Sequence, residues 1–260
     1  WKMARISPIY KKGSRIEPGN YRPVSVLPVV SKFLERIVHK QLYDHMNVNK
    51  LLCNQQSGFR PRHSCHTSLH RLTESFYQEL NKGKVIGMIA LDLKKAFDTV
   101  NHDIMLQKLD YYGIKFAEHD WFRSYLTERS QVCSVYNNIS DSQIVTCGVP
   151  QGSILGPLLF IIYVNDMPSC FDTCDVNIYA DDTAFYYADT CVKTVNDVLQ
   201  LDLLNVYKWL CANKLSLHVG KTNSMLICSR QKRAHLPTKE LKFEMNGQSI
   251  DQVEMLKYLG

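Results

Sequence analysis

Seven consecutive residues, Val85-Ile86-Gly87-Met88-Ile89-Ala90-Leu91, carry no polar side chain and run directly into Asp92. A run that short and that uniformly apolar reads as a β-strand buried on both faces, since a half-exposed strand alternates and a buried helix needs more length. Asp92 then stands at the strand's end. Two further strand-like runs, 176–180 and 183–188, are separated by the pair Asp181-Asp182, which begins 89 residues beyond Asp92.

The plainest reading of Asp181-Asp182 is turn chemistry, because Asp is a common turn residue. If the strand ends meet at one rim of a sheet, however, Asp92, Asp181 and Asp182 form a cluster of like charge that is costly unless a cation binds it. Oxygen ligands without His or Cys favour Mg²⁺ over zinc. Two ions held about 3.5–4 Å apart can activate an attacking hydroxyl and stabilise the leaving oxygen of an in-line phosphoryl displacement.

Helical patterns surround these strands. Ser31–Met46 places Leu34, Ile37, Val38, Gln41 and Leu42 on one face, with Ser31 available as cap. Thr67–Leu80 runs into the turn composition Asn81-Lys82-Gly83, and Asn101 can cap a helix whose Met105, Leu109 and Tyr112 share a face before Gly113 stops it. A short helix over 117–126, one apolar nearly all round over Ser153–Met167, and a long one marked by Val195, Leu199, Val206 and Leu210 complete the set. Asn137-Asn138, between 131–136 and 144–147, signals a hairpin; Leu215–Val219 and Ser224–Cys228 signal another, with 220–223 at its tip.

Composition excludes some classes and leaves others open. At 45% hydrophobic and 22% charged residues the chain is not intrinsically disordered. Its longest apolar run, Ile154–Val164, is broken by Gly156 and Pro157 and is far shorter than the ~20 residues that cross a bilayer. The net charge of +6 is uneven: residues 1–82 hold 14 Lys and Arg against 5 Asp and Glu, and the remainder 17 against 20. A basic first part carrying Lys11, Lys12, Arg15, Arg22, Arg60 and Arg62 suggests a polyanion partner, the alternative being a merely soluble basic surface. Nine cysteines, an odd number without a Cys-x2-Cys pair, fit a reduced intracellular compartment, and Cys170-x3-Cys174 reads as loop thiols rather than a zinc site. A start at Trp1 and a stop at Tyr258-Leu259-Gly260 read as a piece cut from a longer polypeptide.

Five motifs, in order, then carry a resemblance. Ala90-Leu91-Asp92-Leu93-Lys94-Lys95-Ala96-Phe97-Asp98 and Tyr179-Ala180-Asp181-Asp182 resemble the two carboxylate motifs of reverse transcriptases, and Gly148-Val149-Pro150-Gln151-Gly152-Ser153 between them resembles the loop-helix motif of the same palm domain. Upstream, Asn20-Tyr21-Arg22-Pro23-Val24-Ser25 and Gln56-Ser57-Gly58-Phe59-Arg60-Pro61-Arg62-His63-Ser64 are similar to finger motifs of non-LTR (LINE, jockey-like) retrotransposon polymerases, and Asp98-Thr99-Val100-Asn101-His102 points to that branch.

The resemblance implies an α+β right-hand polymerase fragment with an antiparallel palm sheet and no thumb. Fingers are expected over 1–83, palm over 84–112, a fingers insertion over 113–147, and palm again over 148–260, cut inside the primer-grip hairpin that opens at Tyr258. It implies Asp92, Asp181 and Asp182 as metal ligands for two Mg²⁺ ions, Mn²⁺ being an alternative, with Asp182 the least certain of the three to reach the metals. Lys11, in competition with Lys12, and Arg22 would grip the triphosphate. Phe97 would lie under the incoming sugar and exclude a 2′-hydroxyl, its alternative being core packing. Gln151 and Gly152 would touch the nascent base pair, Arg60 and Arg62 template phosphates, and Lys221 would protonate departing pyrophosphate, its alternative being a solvated hairpin lysine.

The activity implied is RNA-directed DNA synthesis from dNTPs onto a primer 3′-hydroxyl, with RNA template and DNA primer as partners and no membrane. The thumb, and an endonuclease domain upstream, would belong to the same polyprotein, acting in the nucleus or cytoplasm as part of a ribonucleoprotein. Two alternatives accompany it: an RNA-templated RNA polymerase, against which Phe97 argues, and a catalytically silent RNA-binding transposon relic, against which the intact aspartates argue.

Overall fold

Residues 2–136 and 138–259 are described by the structure, a computed structural model. Trp1, Asn137 of the Asn-rich hairpin signal and the terminal Gly260 lie outside the described residues. In chain order the first elements are β1 (Met3–Tyr10), β2 (Tyr21–Val26), α1 (Val29–Val48), α2 (Cys65–Asn81), β3 (Val85–Leu91), α3 (His102–Tyr111) and α4 (Phe116–Leu126). Then come β4 (Arg129–Val135), β5 (Asn138–Ile139), β6 (Gln143–Val145), α5 (Leu155–Tyr163), β7 (Asp175–Tyr179) and β8 (Asp182–Asp189). The last are α6 (Val192–Ala212), β9 (Asn223–Ile227), α7 (Arg230–Ala234), β10 (Phe243–Met245) and β11 (Gln248–Gln252).

The chain divides into two compact units, one comprising residues up to Leu52 with Phe97–Tyr163, the other Cys53–Ala96 with the chain from Val164 on. Residues 53–83 fall in the unit of the Asp-bearing sheet, and 97–112 and 148–163 fall in the other.

In the first unit a sheet runs β2-β1-β4-β5, with β6 also pairing β4. β1 and β2 are antiparallel from Arg5↔Val26 to Tyr10↔Tyr21, while β1 and β4 are parallel. Packed with α1 and α3, α5 is buried at eight of its nine residues, so its apolar wrap is core on every side. α5 is shorter than the expected 153–167 helix, because Asn165-Asp166 favour a turn and Pro168 cannot continue an α-helix. α1 also departs from expectation: it begins after Pro28, whose carbonyl accepts from Lys32 N (3.2 Å), so Ser31 is a buried interior residue and no cap. Its inward face is Ser31, Glu35, Leu42 and Met46, and Ile37 and Gln41 are exposed. Asn101 does cap α3, accepting from Ile104 N, and Gly113 follows with φ of +87°.

The second unit is built on a sheet of order β10-β11-β9-β3-β8-β7, antiparallel except where β11 runs parallel to β9. β3 lies between β8 and β9 and is covered on both faces, as its sequence requires. Ile86 and Met88 meet Leu72 of α2, Ala184 and Tyr186 on one face. Gly87 points to the other, where α6 comes so close that a Cβ would stand 2.5 Å from Val195 Cγ1 and Leu199 Cδ1. The expected hairpin of 215–219 with 224–228 does not form. Leu215 and Leu217 alternate into the core, which accounts for the strand-like pattern, but only Leu217 makes a bridge, to Leu93, and β9 pairs instead with β3 and β11.

Candidate active site

The three aspartates of the sequence expectation come together at one rim of the second unit's sheet. β3 and β8 are paired to Leu91↔Thr183, so Asp92 and Asp182 are the next residues along the same ladder, and Asp181 sits in the turn between β7 and β8. That turn sits one residue earlier than the sequence suggested: Tyr179↔Asp182 is its closing pair, so the turn residues are Ala180 and Asp181, and Asp182 belongs to the strand. Ala180 has φ of +57°, a left-handed conformation that side chains other than Gly, Asn and Asp seldom adopt.

The charges are felt. Desolvation of the carboxyl among the packed strand ends, then the neighbouring charges of Asp181 and Asp92, hold the pKa of Asp182 up at about 6. The residue as a whole keeps solvent access, so the desolvation is local to the carboxyl. Asp92 is fixed through its backbone: its carbonyl accepts from His218 N (2.7 Å) and its N–H donates to Thr222 Oγ1 (3.4 Å). The same 218–222 segment carries Lys221, which lies exposed in the 3-10 turn Val219–Lys221 and not at a hairpin tip. Among the described residues no group of three or more His, Cys, Asp or Glu is arranged to hold a metal ion. The donor set itself, hard carboxylate oxygens whose mutual repulsion a cation would relieve, suits Mg²⁺ or Mn²⁺.

Arg60 and Arg62 are in this unit and behave differently from each other. The Arg60 guanidinium turns back on its own loop, Nη1 donating to the carbonyls of Cys53 (2.8 Å) and Gln56 (3.0 Å), while its buried Nε has no partner. Arg62 is exposed. One of the two arginines expected at template phosphates thus points outward and the other braces its own loop.

The remaining candidates are all in the first unit. Lys11 and Arg22 are exposed at one end of the β1–β2 hairpin, where Ile9↔Arg22 is paired and Lys11 N donates to Asn20 O (2.9 Å). Gln151 and Gly152 lie on β2: Ser25 N donates to Gln151 O (2.6 Å), and a Cβ on Gly152, whose φ is +107°, would stand 2.7 Å from Ser25 O. Only glycine meets both demands. The Gln151 amide donates to Asp98 Oδ1 (2.8 Å), and Val149 N to Phe97 O (2.8 Å), so the two motifs are stitched together. Phe97 is half-buried, its ring stacked on Phe160 at 4.4 Å and 26°.

Two supports were not visible in the sequence. Glu35, 1% exposed on α1, accepts from Tyr125 Oη (3.1 Å) and from Ile154 N (2.7 Å), fixing the entry to α5 just beyond Gln151-Gly152. Burial and this carboxylate push the Tyr125 hydroxyl pKa well up. The other support is the strip Gln55–Gly58 along β7, where Ser57 N donates to Ile178 O (2.8 Å) and Ile178 N to Gln55 O (3.0 Å). A buried Glu in an amphipathic helix is the one sequence signal that could have revealed the first.

The reverse transcriptase (RNA-dependent DNA polymerase) family matches residues 9–260. The probable RNA-directed DNA polymerase from transposon BS of Drosophila melanogaster is 33% identical over 274 residues, spanning 100% of this chain and 29% of that protein. The RNA-directed DNA polymerase from the mobile element jockey of the same organism is 30% identical, spanning 100% of this chain and 28% of that protein. In solved structures, apo telomerase from Candida tropicalis superposes with a TM-score of 0.64 at 14% identity, over 96% of this chain and 47% of that one. At that identity the likeness speaks for the fold alone, the α+β right-hand polymerase architecture. The chain belongs to the reverse transcriptase family.

Proposed function

We propose that this chain is the polymerising segment of a non-LTR retrotransposon protein, copying RNA into DNA by adding deoxynucleotides to a primer 3′-hydroxyl. The observation that carries the reading is the meeting of Asp92, Asp181 and Asp182 at one sheet rim, with the pKa of Asp182 raised by desolvation and then by the charges of Asp181 and Asp92, in a chain of this family. Asp92, Asp181 and Asp182 would hold two divalent ions, Mg²⁺ or Mn²⁺. When bound, such ions supply activation of the attacking hydroxyl and charge stabilisation for the leaving oxygen.

The other residues divide the remaining work. Lys11 and Arg22 bind triphosphate oxygens, Arg as a bidentate fork and Lys as a point charge. Phe97, backed by Phe160, presents a ring edge where a 2′-hydroxyl would clash. Gln151 and Gly152 meet the nascent pair, Arg62 neutralises template phosphate, and Lys221 gives a proton to pyrophosphate. The template RNA, primer DNA and dNTPs are the partners, joined by thumb and endonuclease parts of the same polyprotein in a nuclear or cytoplasmic ribonucleoprotein. Primer extension on an RNA template by the full-length protein tests the reading: template-dependent DNA product supports it, and its absence under conditions where a related element's polymerase extends would overturn it.

A further inference from the structure

We infer that Gln56 is a positioning residue that sets the Ala180–Asp181 turn and thereby aims the Asp181 carboxylate; the inference rests on the polymerase reading above. Gln56 is 1% exposed. Its Oε1 accepts from Ala180 N (2.9 Å) and from Gly58 N (2.7 Å), and its Nε2 donates to Ala180 O (3.4 Å). The side-chain amide thus pairs with both backbone polar groups of Ala180, as a neighbouring strand would, at the point where the β7 ladder ends. Without it the buried N–H of a left-handed residue would lack this acceptor, and the turn would be held only by its closing pair Tyr179↔Asp182.

The surrounding chain is shaped to bring this amide there. The strip Gln55–Gly58 runs along β7 through its bonds to Ile178, so Gln56 arrives at the turn from a fixed backbone. Gly58 lies so close that a Cβ on it would stand 2.2 Å from Ala180 N, leaving no room for any other residue. The Arg60 guanidinium holds the carbonyl of Gln56 from the far side (3.0 Å). An uncharged amide also suits the place: a carboxylate would accept the same two N–H groups, but it would add a further negative charge beside three aspartates and could not donate to Ala180 O when ionised.

Residues that orient a ligand without touching the metal cost about 10–100-fold in metal affinity or activity when removed. In the full-length protein, Gln56→Leu keeps the volume and removes both functions of the amide. Its kcat for extension should fall about tenfold or more, and its half-saturating Mg²⁺ rise by a similar factor, while KM for dNTP and template binding stay within about twofold. Direct Mn²⁺ binding followed by electron paramagnetic resonance should weaken in parallel. Asp181→Asn is run alongside: if it extends like wild type, the polymerase site itself is wrong; if it is inactive while Gln56→Leu matches wild type in kcat and metal dependence, the Gln56 role alone is overturned. Should Gln56→Leu fail to fold, amide hydrogen exchange on the wild-type protein decides, because Ala180 and Gly58 N–H must exchange as slowly as those of β3, and fast exchange at either overturns the inference.

Discussion

Under the proposed function single residues carry the chemistry, and the sequence brought the aspartates forward because Asp92 ends one apolar run and Asp181-Asp182 separate two others. What it could not disclose is how they are held. Nothing in the pattern of Gln56 separates it from a surface glutamine, and Arg60 and Arg62 look alike until one is seen folded onto Cys53 and Gln56. Phe97 stands on both sides of this line, since its stacking on Phe160 is ordinary packing and its partial exposure is what a sugar gate would need. Phe97→Val separates the two: the ratio of kcat/KM for deoxyribonucleotides over ribonucleotides should fall about tenfold, equivalent to about 1.4 kcal/mol. A ratio unchanged within error, with both substrates slowed alike, would reduce Phe97 to packing.

Asp202 is a second residue whose role only the fold reveals. It is 1% exposed on α6 and accepts from the backbone N–H groups of Asp172 (3.0 Å), Thr173 (3.2 Å) and Cys174 (2.8 Å). Burial pushes its pKa upward, but these donors outweigh it and leave the pKa below the usual carboxylate value. The sign follows: an acid whose folded pKa is depressed stabilises the fold above its unfolded pKa, near 4, and loses that contribution as pH falls through the folded value. Asp202→Asn should cost about 2–3 kcal/mol at pH 7, and the difference from wild type should shrink below pH 4. Urea unfolding of both proteins at the two pH values checks it; a deficit independent of pH would mean the charge is not what matters.

At the level of elements, β3 was legible because its run is uniformly apolar, and α3 with its Asn101 cap and α6 because their helical spacing is unbroken. Errors gathered where apolar spacing is satisfied by something other than the expected element. Leu215 and Leu217 alternate like a strand but are core-facing loop residues, and α1 buries Ser31 and Glu35 where a hydrophobic count favours Ile37. The loop after Cys53 shows the same thing in charge, its basic residues divided between bracing and surface. Removing Arg62 should lower the slope of log affinity against log salt for an RNA template by about 0.7–0.9, one phosphate contact, whereas Arg60→Ala should leave that slope alone and lower the melting temperature. Equal slopes in all three proteins would remove Arg62 from the template surface.

On the scale of the whole molecule, the metal-binding candidates and Lys221 lie entirely in one compact unit, and Lys11, Arg22, Phe97, Gln151 and Gly152 entirely in the other. Sequence motifs arranged along a line gave no sign of that partition, because each unit is assembled from two separate stretches of chain. The chain also spans only 28–29% of relatives such as those from transposon BS and jockey. The claim on which everything rests is that the sheet-rim aspartates run nucleotidyl transfer. Primer extension on an RNA template by the full-length protein, wild type against Asp181→Asn, measures it directly. The account predicts Mg²⁺-dependent extension that drops about 10²–10³-fold or more in the variant, with a melting temperature unchanged or raised as repulsion at the rim is relieved. Extension by Asp181→Asn at the wild-type rate would contradict it.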